Sequence, residues 1–403
     1  MFAYGFLAVV LVLYLAALGF DGIGIGLLLT LTLVGDTLIS LWLTTSADRL
    51  GRRRVLVAGA GLMLLAGLLF AITSDFRLLV VAATIGVISP SGNEVGPFLA
   101  VEQASLSQAV PAARRTNVFA WYNLVGMIAT ACGSLGAGLV SGALQAGGAT
   151  DVDSYRVIVV GYALVGLVLA LLFTRLSARI EAPPSAAHEG IRRRFGLGRS
   201  RGIVVRLAAL FSLDAFGGGL VPQSLMAFWF HVHFGVEPGV LGAIFFAANI
   251  AAAASALLAA RLAARIGLIN TMVFTHLPSN VLLILVPFMP TLPLAVAVLL
   301  LRFGISQMDV PTRQSYTMAV VDPDERSAAA GVTGVARTTG AAVSPVVSAP
   351  LIADPALGAL PFVIAGSVKI VYDLLLYRAF RALRPPEEAL PGPSASASPT
   401  ATR

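Results

Sequence analysis

The chain has 403 residues, of which 57% are hydrophobic and 12% are charged, whereas soluble domains have roughly 45–50% and about 25%. This composition excludes a cytosolic enzyme, a disordered protein and a coiled coil, and the mean hydropathy of +0.88 places most of the chain in lipid. Because the lipid core offers the backbone no hydrogen-bond partners, only helices or closed barrels can span it. The apolar runs are long and do not alternate with polar residues, which excludes the barrel.

Twelve apolar segments follow one another along the chain, and each is close to the roughly 20 residues that a spanning helix needs. The gaps between them hold Asp, Arg, Pro and Gly, as loops do. The first segment has neither a basic flank nor a small-residue cleavage site, so the sequence does not predict a signal peptide. The predicted segments cover residues 2–20, 23–46, 55–73, 78–105, 117–143, 155–174, 204–229, 239–260, 271–289, 292–318, 327–350 and 358–377.

The basic residues are concentrated in every second loop. Twenty-one arginines lie on one side of the predicted membrane, and two, Arg77 and Arg156, lie on the other. Basic loops remain in the cytoplasm, so this distribution predicts a multi-pass protein of a bacterial cytoplasmic (inner) membrane with both termini cytoplasmic. The net charge of +7 therefore reflects membrane topology, and no nucleic-acid partner is expected.

The polar stretches divide the chain into four predicted regions. Residues 1–174 and 204–378 form two bundles of six helices each. Residues 175–203, which contain two adjacent prolines and three consecutive arginines, form a cytoplasmic linker between the bundles. Residues 379–403 are rich in Pro, Ala and Ser and are predicted to be a disordered cytoplasmic tail.

The two predicted bundles match each other at an offset of 216 residues. Gly and Leu are abundant, so chance is an alternative, but shared spacing over about 30 residues favours a parallel repeat. The matched pairs are Gly19 with Gly235, Asp21 with Glu237, Ile25 with Leu241, Gly26 with Gly242, Arg49 with Arg265, Leu50 with Ile266 and Gly51 with Gly267.

The loop after the second segment reads Ala47-Asp48-Arg49-Leu50-Gly51-Arg52-Arg53-Arg54. It resembles the signature loop of the major facilitator superfamily, G-x-x-x-D-R-x-G-R-R, except that Thr44 stands where the pattern has its first glycine. The resemblance implies an all-α membrane protein with twelve transmembrane helices in two pseudo-symmetric six-helix bundles. It also implies a secondary transporter that works by alternating access, without enzymatic activity or a cofactor.

The resemblance further implies roles for charged residues near the cytoplasmic side. Glu102 would meet Arg52 or Arg53 of the signature loop. Helices 2 and 11 pack together in this family, so Asp36 and Arg337 would form an ion pair between the bundles. The gating motif comprises Asp48, Arg49, Gly51, Arg52 and Arg53.

Charges at the centre of a bilayer cost at least ~2.5–3.5 kcal/mol on insertion scales, so each one is a functional candidate. Glu94 and Asp309 lie at matching depths in segments 4 and 10, and Asp214 lies in segment 7. The resemblance implies that these segments line a central cavity, which makes the three acids candidates for proton coupling. The alternative is that each carboxylate is a structural partner of an arginine. Lys369 and Asp373, four residues apart on segment 12, are predicted to pair with each other.

Other polar residues are candidates for contact with a substrate. Arg302, Ser306, Asp309, Arg313 and Tyr316 share one face of segment 10, and the two arginines would either pair with Asp309 or hold an anionic substrate. The tyrosines of segment 1 share a face as well, with packing as the alternative. The candidate cavity residues are Tyr4, Tyr14, Asn93, Glu94, Asp214, Arg302, Ser306, Asp309 and Arg313.

Two predicted spans contain residues that weaken a helix next to an acid. The stretch Ser89–Pro97 has two prolines and two glycines beside Glu94, and three glycines follow Asp214 at 217–219. Freed backbone carbonyls at such interruptions can bind a polar ligand, whereas a packing kink is the plain alternative. We expect the binding region at these two interruptions.

Proton-coupled export of drugs or metabolites is the first functional prediction, because the expected cavity is apolar and aromatic with a few acids. Segment 5 lacks the proline of the family's antiporter signature, and this absence weakens the prediction of proton-coupled export. The alternative is proton-coupled or facilitated uptake of a metabolite, including an anionic one held by Arg302 and Arg313, and the remote alternative is a non-transporting membrane receptor or scaffold. We expect a monomer whose partners are a small-molecule substrate, protons and the lipid bilayer, with no metal site and no ATP-binding loop.

Overall fold

In the computed structural model, residues 1–92, 98–177, 180–181, 198–322 and 325–383 are described. Their regular secondary structure is helical throughout, which confirms the predicted all-α fold. The first half comprises α1 (Phe2–Ala17), α2 (Gly22–Leu50), α3 (Arg52–Ile72), α4 (Phe76–Ile85), α5 (Phe98–Ala109), α6 (Ala112–Ala146) and α7 (Asp151–Thr174). The second half comprises α8 (Arg201–Leu220), α9 (Gln223–Phe234), α10 (Pro238–Ile266), α11 (Leu268–Leu285), α12 (Leu292–Ser306), α13 (Asp309–Ala319), α14 (Arg326–Ala342), α15 (Pro345–Ala353) and α16 (Leu360–Phe380).

By length and apolar composition, nine helical stretches within the described ranges can cross a membrane. Two of them join consecutive helices, namely Arg201–Phe234 and Leu292–Ala319. Phe2–Ala17 and Phe76–Ile85 are apolar but shorter. The chain is therefore a multi-pass membrane protein, while the number of twelve spans stays a prediction.

The offset of 216 residues is visible in the helix boundaries of the second span of each half, which agree with the predicted repeat. Helices α2 and α10 each have 29 residues, and their first and last residues are separated by 216 positions. Gly51 and Gly267 follow these helices with φ values of +94° and +88°. Glycine adopts a positive φ at little energetic cost. Each glycine therefore allows a tight turn, and the next helix begins at the following residue.

Within the described ranges, four of the predicted spans are interrupted. The first gap follows α4, the second lies at Val221–Pro222 between α8 and α9, the third lies at Gln307–Met308 between α12 and α13, and the fourth lies at Val343–Ser344 between α14 and α15. Proline has no N–H to donate to the preceding turn, which explains the second gap. The glycines at 217–219 stay helical, so the interruption predicted there is displaced towards Pro222.

Small residues bring the two halves together near the ends of the helices that carry few arginines, which we call the arginine-poor end. A Cβ atom on Gly138 of α6 would lie 2.8 Å from the Cα atom of Gly242 on α10. A Cβ atom on Gly26 of α2 would lie 2.7 Å from the carbonyl oxygen of Pro345 on α15. Such contacts allow the close backbone packing on which helix association in lipid depends.

The described ends of the linker are attached to opposite halves by carboxylates. Glu181 accepts hydrogen bonds from the backbone N–H groups of Arg52 at 2.7 Å and Arg53 at 3.2 Å, and so caps the first turn of α3. Glu325, which precedes α14, accepts backbone N–H groups of residues 198–200 at 2.7–3.0 Å. Partial desolvation opposes ionisation of Glu325, but these N–H groups outweigh it and hold the pKa of Glu325 below its usual value.

Candidate functional site

A network of buried charges lies in the second half, where α8, α11, α13 and α16 pack together. Its centre is Asp214 of α8, whose residue surface is 4% exposed. Lys369 Nζ of α16 donates to Asp214 Oδ1 at 2.6 Å, and Arg313 Nη1 of α13 donates to Asp214 Oδ2 at 3.1 Å. Because both cations are themselves buried, each compensates a charge that lipid and protein would otherwise leave unsolvated.

Asp309 extends this network along α13. Arg313 Nη1 also donates to Asp309 Oδ2 at 2.9 Å, so that one guanidinium nitrogen serves two carboxylates. The two residues are four positions apart, which places their side chains on one helix face. A proton on either Asp214 or Asp309 would cancel the charge of that carboxylate and weaken its bond to Arg313.

The glycines after Asp214 make room for the lysine of α16. A Cβ atom on Gly217 would lie 2.9 Å from Lys369 Cγ, and one on Gly218 would lie 3.6 Å from Lys369 Cε. The lysine stem therefore crosses α8 over a bare backbone before Nζ reaches Asp214. The predicted pairing of Lys369 with Asp373 is wrong, because Lys369 bonds to α8 and Asp373 bonds to α11.

Two polar residues of α11 that the sequence reasoning missed bind Asp373. His276 Nδ1 lies 2.8 Å from Asp373 Oδ1, and Asn280 Nδ2 donates to Asp373 Oδ2 at 2.9 Å. His276 Nε2 faces the network from the other side of the ring, 3.8 Å from Asp214 Oδ1. A signal was present in the sequence, since His276 and Asn280 are four residues apart within an apolar span.

Two further arginines lie near the network without joining it. Within the described ranges, Arg302 of α12 and Arg337 of α14 have no hydrogen bond and no ion pair. The Nε atom of Arg302 and the Oγ atom of Ser306, one turn apart on α12, are both buried without a hydrogen-bond partner among these residues. The surroundings of the network are thus rich in unused hydrogen-bond donors.

A second polar group lies where the interrupted spans of the two halves meet. Ser224 donates its backbone N–H to the carbonyl of Pro90 at 3.0 Å. Gln223 Nε2 donates to Ser134 Oγ of α6 at 3.1 Å, and its Oε1 accepts from Asn249 Nδ2 of α10 at 3.2 Å. The predicted interruptions therefore lie against each other across the boundary between the halves, although Gln223 was not among the predicted site residues.

The remaining candidate cavity residues are distributed differently. Asn93 and Glu94 lie outside the described residues, so their roles stay predictions. Tyr4 is 3% exposed and packs edge-on against Tyr162, with ring centroids 6.2 Å apart. Tyr14 is fully buried and donates its hydroxyl to the carbonyl of Phe70 at 2.6 Å. Both tyrosines thus contact residues of the first half, and their place in a substrate cavity stays a prediction.

The predicted gating and interdomain residues can be placed in part. The side chains of Asp48 and Arg49 lie outside the described part of the structure. Glu102 Oε2 accepts a hydrogen bond from Tyr122 Oη at 2.6 Å, and no ion pair with Arg52 or Arg53 is found among the described side chains. The carboxylate that binds the first turn of α3 is Glu181 of the linker, through backbone N–H groups.

The predicted interdomain pair is likewise not formed within the described ranges. Asp36 Oδ1 accepts a hydrogen bond from Ser40 at 3.2 Å, whereas the charge of Arg337 lies in the field of Arg313 and Asp214 in the second half. Helix α2 does pack against α14, so the two residues lie on neighbouring helices. Their pairing stays a prediction for another conformation.

Comparisons with known proteins agree with this architecture. The family model described as Major Facilitator Superfamily matches residues 1–345 and 207–400. A protein of Saccharomyces cerevisiae, "Uncharacterized membrane protein YJR124C", is 32% identical over 93% of this chain and 90% of its own length.

Solved structures share the fold at low sequence identity. A D-xylose-proton symporter has a TM-score of 0.71 and 14% identity, covering 94% of each chain. The nucleoside transporter NupG has a TM-score of 0.70 and 14% identity, covering 94% of this chain and 96% of its own. The human organic anion transporter MFSD10 (TETRAN) has a TM-score of 0.61 and 18% identity, covering 93% of this chain and 96% of its own.

Proposed function

Since the chain belongs to the major facilitator superfamily, we propose that it is a secondary transporter that exports small organic solutes by alternating access in exchange for protons. Membership in this family makes it a membrane transporter of small solutes rather than an enzyme. The direction of transport, the coupling ion and the residues involved are the proposed part.

One observation carries the proton coupling, namely that Arg313 Nη1 is shared between Asp214 and Asp309 at 3.1 and 2.9 Å. A proton on either carboxylate cancels one attraction and leaves the other, so protonation changes how α8 and α13 are held together. Both residues are buried among four packed helices, where such a change is not screened by water. Glu94 of the first half is the third proposed coupling residue.

The conformational cycle would use the contacts between halves that the structure contains. The backbone bond from Ser224 to Pro90 and the glycine contact between α6 and α10 hold the halves together. We propose that this closes the arginine-poor end, and that Asp48 and Arg49 of the signature loop control closure at the opposite end. A well-expressed Asp48→Asn protein should then bind solute but cycle slowly, and full transport by it would contradict the gating role.

A second candidate is uptake of an anionic solute. Arg302 and Arg337 supply two positive charges that no carboxylate among the described residues neutralises, and the free Nε of Arg302 can donate to an oxyanion. Arg313, which the sequence analysis assigned to the same role, is already held by two carboxylates. The anion would therefore be bound by Arg302 and Arg337 rather than by Arg313.

Transport of a labelled panel of organic cations, anions and neutral solutes tests both candidates. The protein would be placed in everted and right-side-out vesicles, with and without a pH gradient. Export predicts accumulation in everted vesicles that depends on the gradient and is lost in Asp309→Asn, whereas Asp151→Asn, which changes an exposed acid of α7, serves as the matched control. Accumulation of anions alone, in right-side-out vesicles, would favour the second candidate, and gradient-independent transport would refute proton coupling.

A further inference from the structure

The pair formed by His276 of α11 and Asp373 of α16 stands on two helices other than those expected to line the cavity, and neither residue is part of the proposed coupling group. Both residues are buried, with exposures of 5% and 0%. Burying an imidazole and a carboxyl group within the membrane costs free energy. A site that contains both groups therefore needs a physical explanation.

The hydrogen bonds around the imidazole define where its proton lies. Nδ1 lies 2.8 Å from Asp373 Oδ1 and 3.2 Å from Asn280 Nδ2. An amide nitrogen can only donate and a carboxylate can only accept, so Nδ1 cannot satisfy both neighbours in one protonation state. The shorter contact to Asp373 favours a proton on Nδ1, which leaves a lone pair on Nε2.

That lone pair faces the ion network. Nε2 lies 3.8 Å from Asp214 Oδ1, the oxygen that Lys369 already contacts at 2.6 Å. A proton added at Nε2 would create an imidazolium between two carboxylates, Asp373 on one side and Asp214 on the other. The ring is therefore placed so that one added proton is compensated on both of its nitrogens.

A charge count supports uptake of one proton by the bonded groups. Asp214, Asp309 and Asp373 carry three negative charges, whereas Arg313 and Lys369 carry two positive charges within bonding distance. One imidazolium would bring these directly bonded groups, counted without Arg302 and Arg337, to neutrality, which a low-dielectric environment favours for paired charges.

Other groups that face the ring from the packed helices modify this balance. Tyr372 of α16 packs edge-on against the ring at 6.0 Å between centroids, and α10 offers no charged residue between Glu237 and Arg261. Arg302 and Arg337 add positive charge from α12 and α14 and disfavour the imidazolium. An anion that neutralised either arginine would therefore promote proton uptake at His276. Binding of the anion and binding of the proton would then be linked.

We propose that His276, held by Asp373 and Asn280, is a proton-binding site that controls the bonds of Asp214. Once protonated, His276 becomes a third cation on Asp214 and competes with Lys369 and Arg313 for its two oxygens. The bonds that join α8 to α13 and α16 then weaken, so a proton bound between α11 and α16 is transmitted to the helices of the proposed coupling group. Its role in transport rests on the proposed proton coupling, whereas proton binding itself does not.

Nuclear magnetic resonance of histidine rings tests the site without a substrate. The chain has four histidines, so histidine labelled with ¹⁵N in the ring gives few signals from protein in nanodiscs. His276→Gln identifies the ring by loss of its signals, and His233→Gln, which removes an exposed histidine, is the matched control. Spectra are recorded from about pH 8 to pH 5, and the proposal requires that the His276 ring change from the Nδ1–H tautomer to the doubly protonated form on acidification.

A second variant and a transport measurement separate the possible failures. Asp373→Asn removes the carboxylate that compensates the imidazolium, so proton uptake at His276 should be lost from that pH range while the control keeps it. A His276 ring that stays neutral over the whole range in the unmodified protein would overturn the proposal, and that observation requires no variant to fold. Proton uptake at His276 together with transport that does not depend on a pH gradient would refute the proposed function. The proposal that His276 binds a proton would not be affected.

Discussion

In the first half, buried hydroxyl groups bond to backbone carbonyls of that same half. Tyr14 donates to Phe70 and Tyr162 donates to Val87, which fixes α1 on α3 and α7 on the end of the fourth span. In the second half, the interior instead holds carboxylates paired with Lys369 and Arg313. The two halves therefore repeat the same arrangement of helices but differ in the polar contacts of their interiors.

This difference indicates which half responds to protonation. A hydroxyl bonded to a carbonyl keeps its proton at every physiological pH, so the first-half contacts described here behave as fixed supports. An aspartate bonded to a cation changes its charge when it binds a proton, and its partner must then find a new position. Among the contacts described here, we therefore expect those that respond to protonation to lie in the second half, while Glu94 stays the proposed coupling residue of the first half.

The largest expected effect comes from breaking the second-half network at its centre. Asp214→Asn leaves Lys369 and Arg313 without one carboxylate in a buried site, which costs about 3–5 kcal/mol when a buried pair loses one partner. The matched first-half variant is Glu102→Gln, which keeps an acceptor for Tyr122 and should cost about 1 kcal/mol or less. Thermal unfolding in the same detergent compares the two.

Replacing the cation as well should recover part of the loss. Asp214→Asn combined with Lys369→Met removes the uncompensated ammonium, and the methionine stem still fills the space over Gly217 and Gly218. A double variant that is as unstable as the sum of the single variants would show that Lys369 and Asp214 do not depend on each other. Equal losses for Asp214→Asn and Glu102→Gln would abolish the contrast between the halves.

The next effect concerns the boundary between the halves. Asp36→Asn and Arg337→Gln should each reduce the transport rate, and the double variant should recover part of it, with a coupling of about 0.5–3 kcal/mol. Because Asp36 and Arg337 do not pair with each other in the described structure, thermal stability should show little coupling between them. Purely additive losses in the transport rate would argue against the pair in any conformation.

The sequence predicted the backbone plan better than the contacts of individual side chains. Apolar runs, the 216-residue offset and the signature loop depend on local composition and spacing, and the positions of Gly51 and Gly267 follow from them. The pairing of Lys369 depends on which helix happens to lie beside α16, and three glycines that suggested an interrupted helix in fact accommodate its stem. Spacing along one helix gives no information about such a neighbour.

The predicted site was partly recovered for the same reason. Asp214, Asp309 and Arg313, all among the predicted site residues, lie in one hydrogen-bonded group. His276 and Gln223 were missed, because a single polar residue in an apolar span gains its meaning only from the partner that the fold places beside it. The predicted contact of Glu102 with the signature loop depended on the family pattern, which does not include a linker carboxylate such as Glu181.

A smaller effect is expected at the linker end attached to the first half. Glu181→Gln removes the negative charge that caps the first turn of α3, and loss of such a cap costs about 0.5–2 kcal/mol. Thermal unfolding at neutral pH measures it, and Arg54→Gln, which changes an exposed charge of the same turn, is the control. An unchanged unfolding temperature in Glu181→Gln would show that the linker is not held there.

The smallest effect, and the one that depends on pH, is expected at the linker end attached to the second half. Backbone N–H groups hold the pKa of Glu325 below its usual value against the opposing effect of desolvation. A carboxyl group with a lowered pKa in the folded state stabilises the protein above its unfolded pKa of about 4.3, and this stabilisation is lost as the pH falls through the folded pKa. Unmodified protein should therefore unfold at a higher temperature than Glu325→Gln at neutral pH, and the difference should shrink only below about pH 4.3. Asp322→Asn, in the same loop, is the control because its carboxylate accepts none of these three bonds. A difference that persists unchanged in acid would mean that the amide replaces the carboxylate poorly for reasons of shape, and that the charge of Glu325 does not hold the linker to the second half.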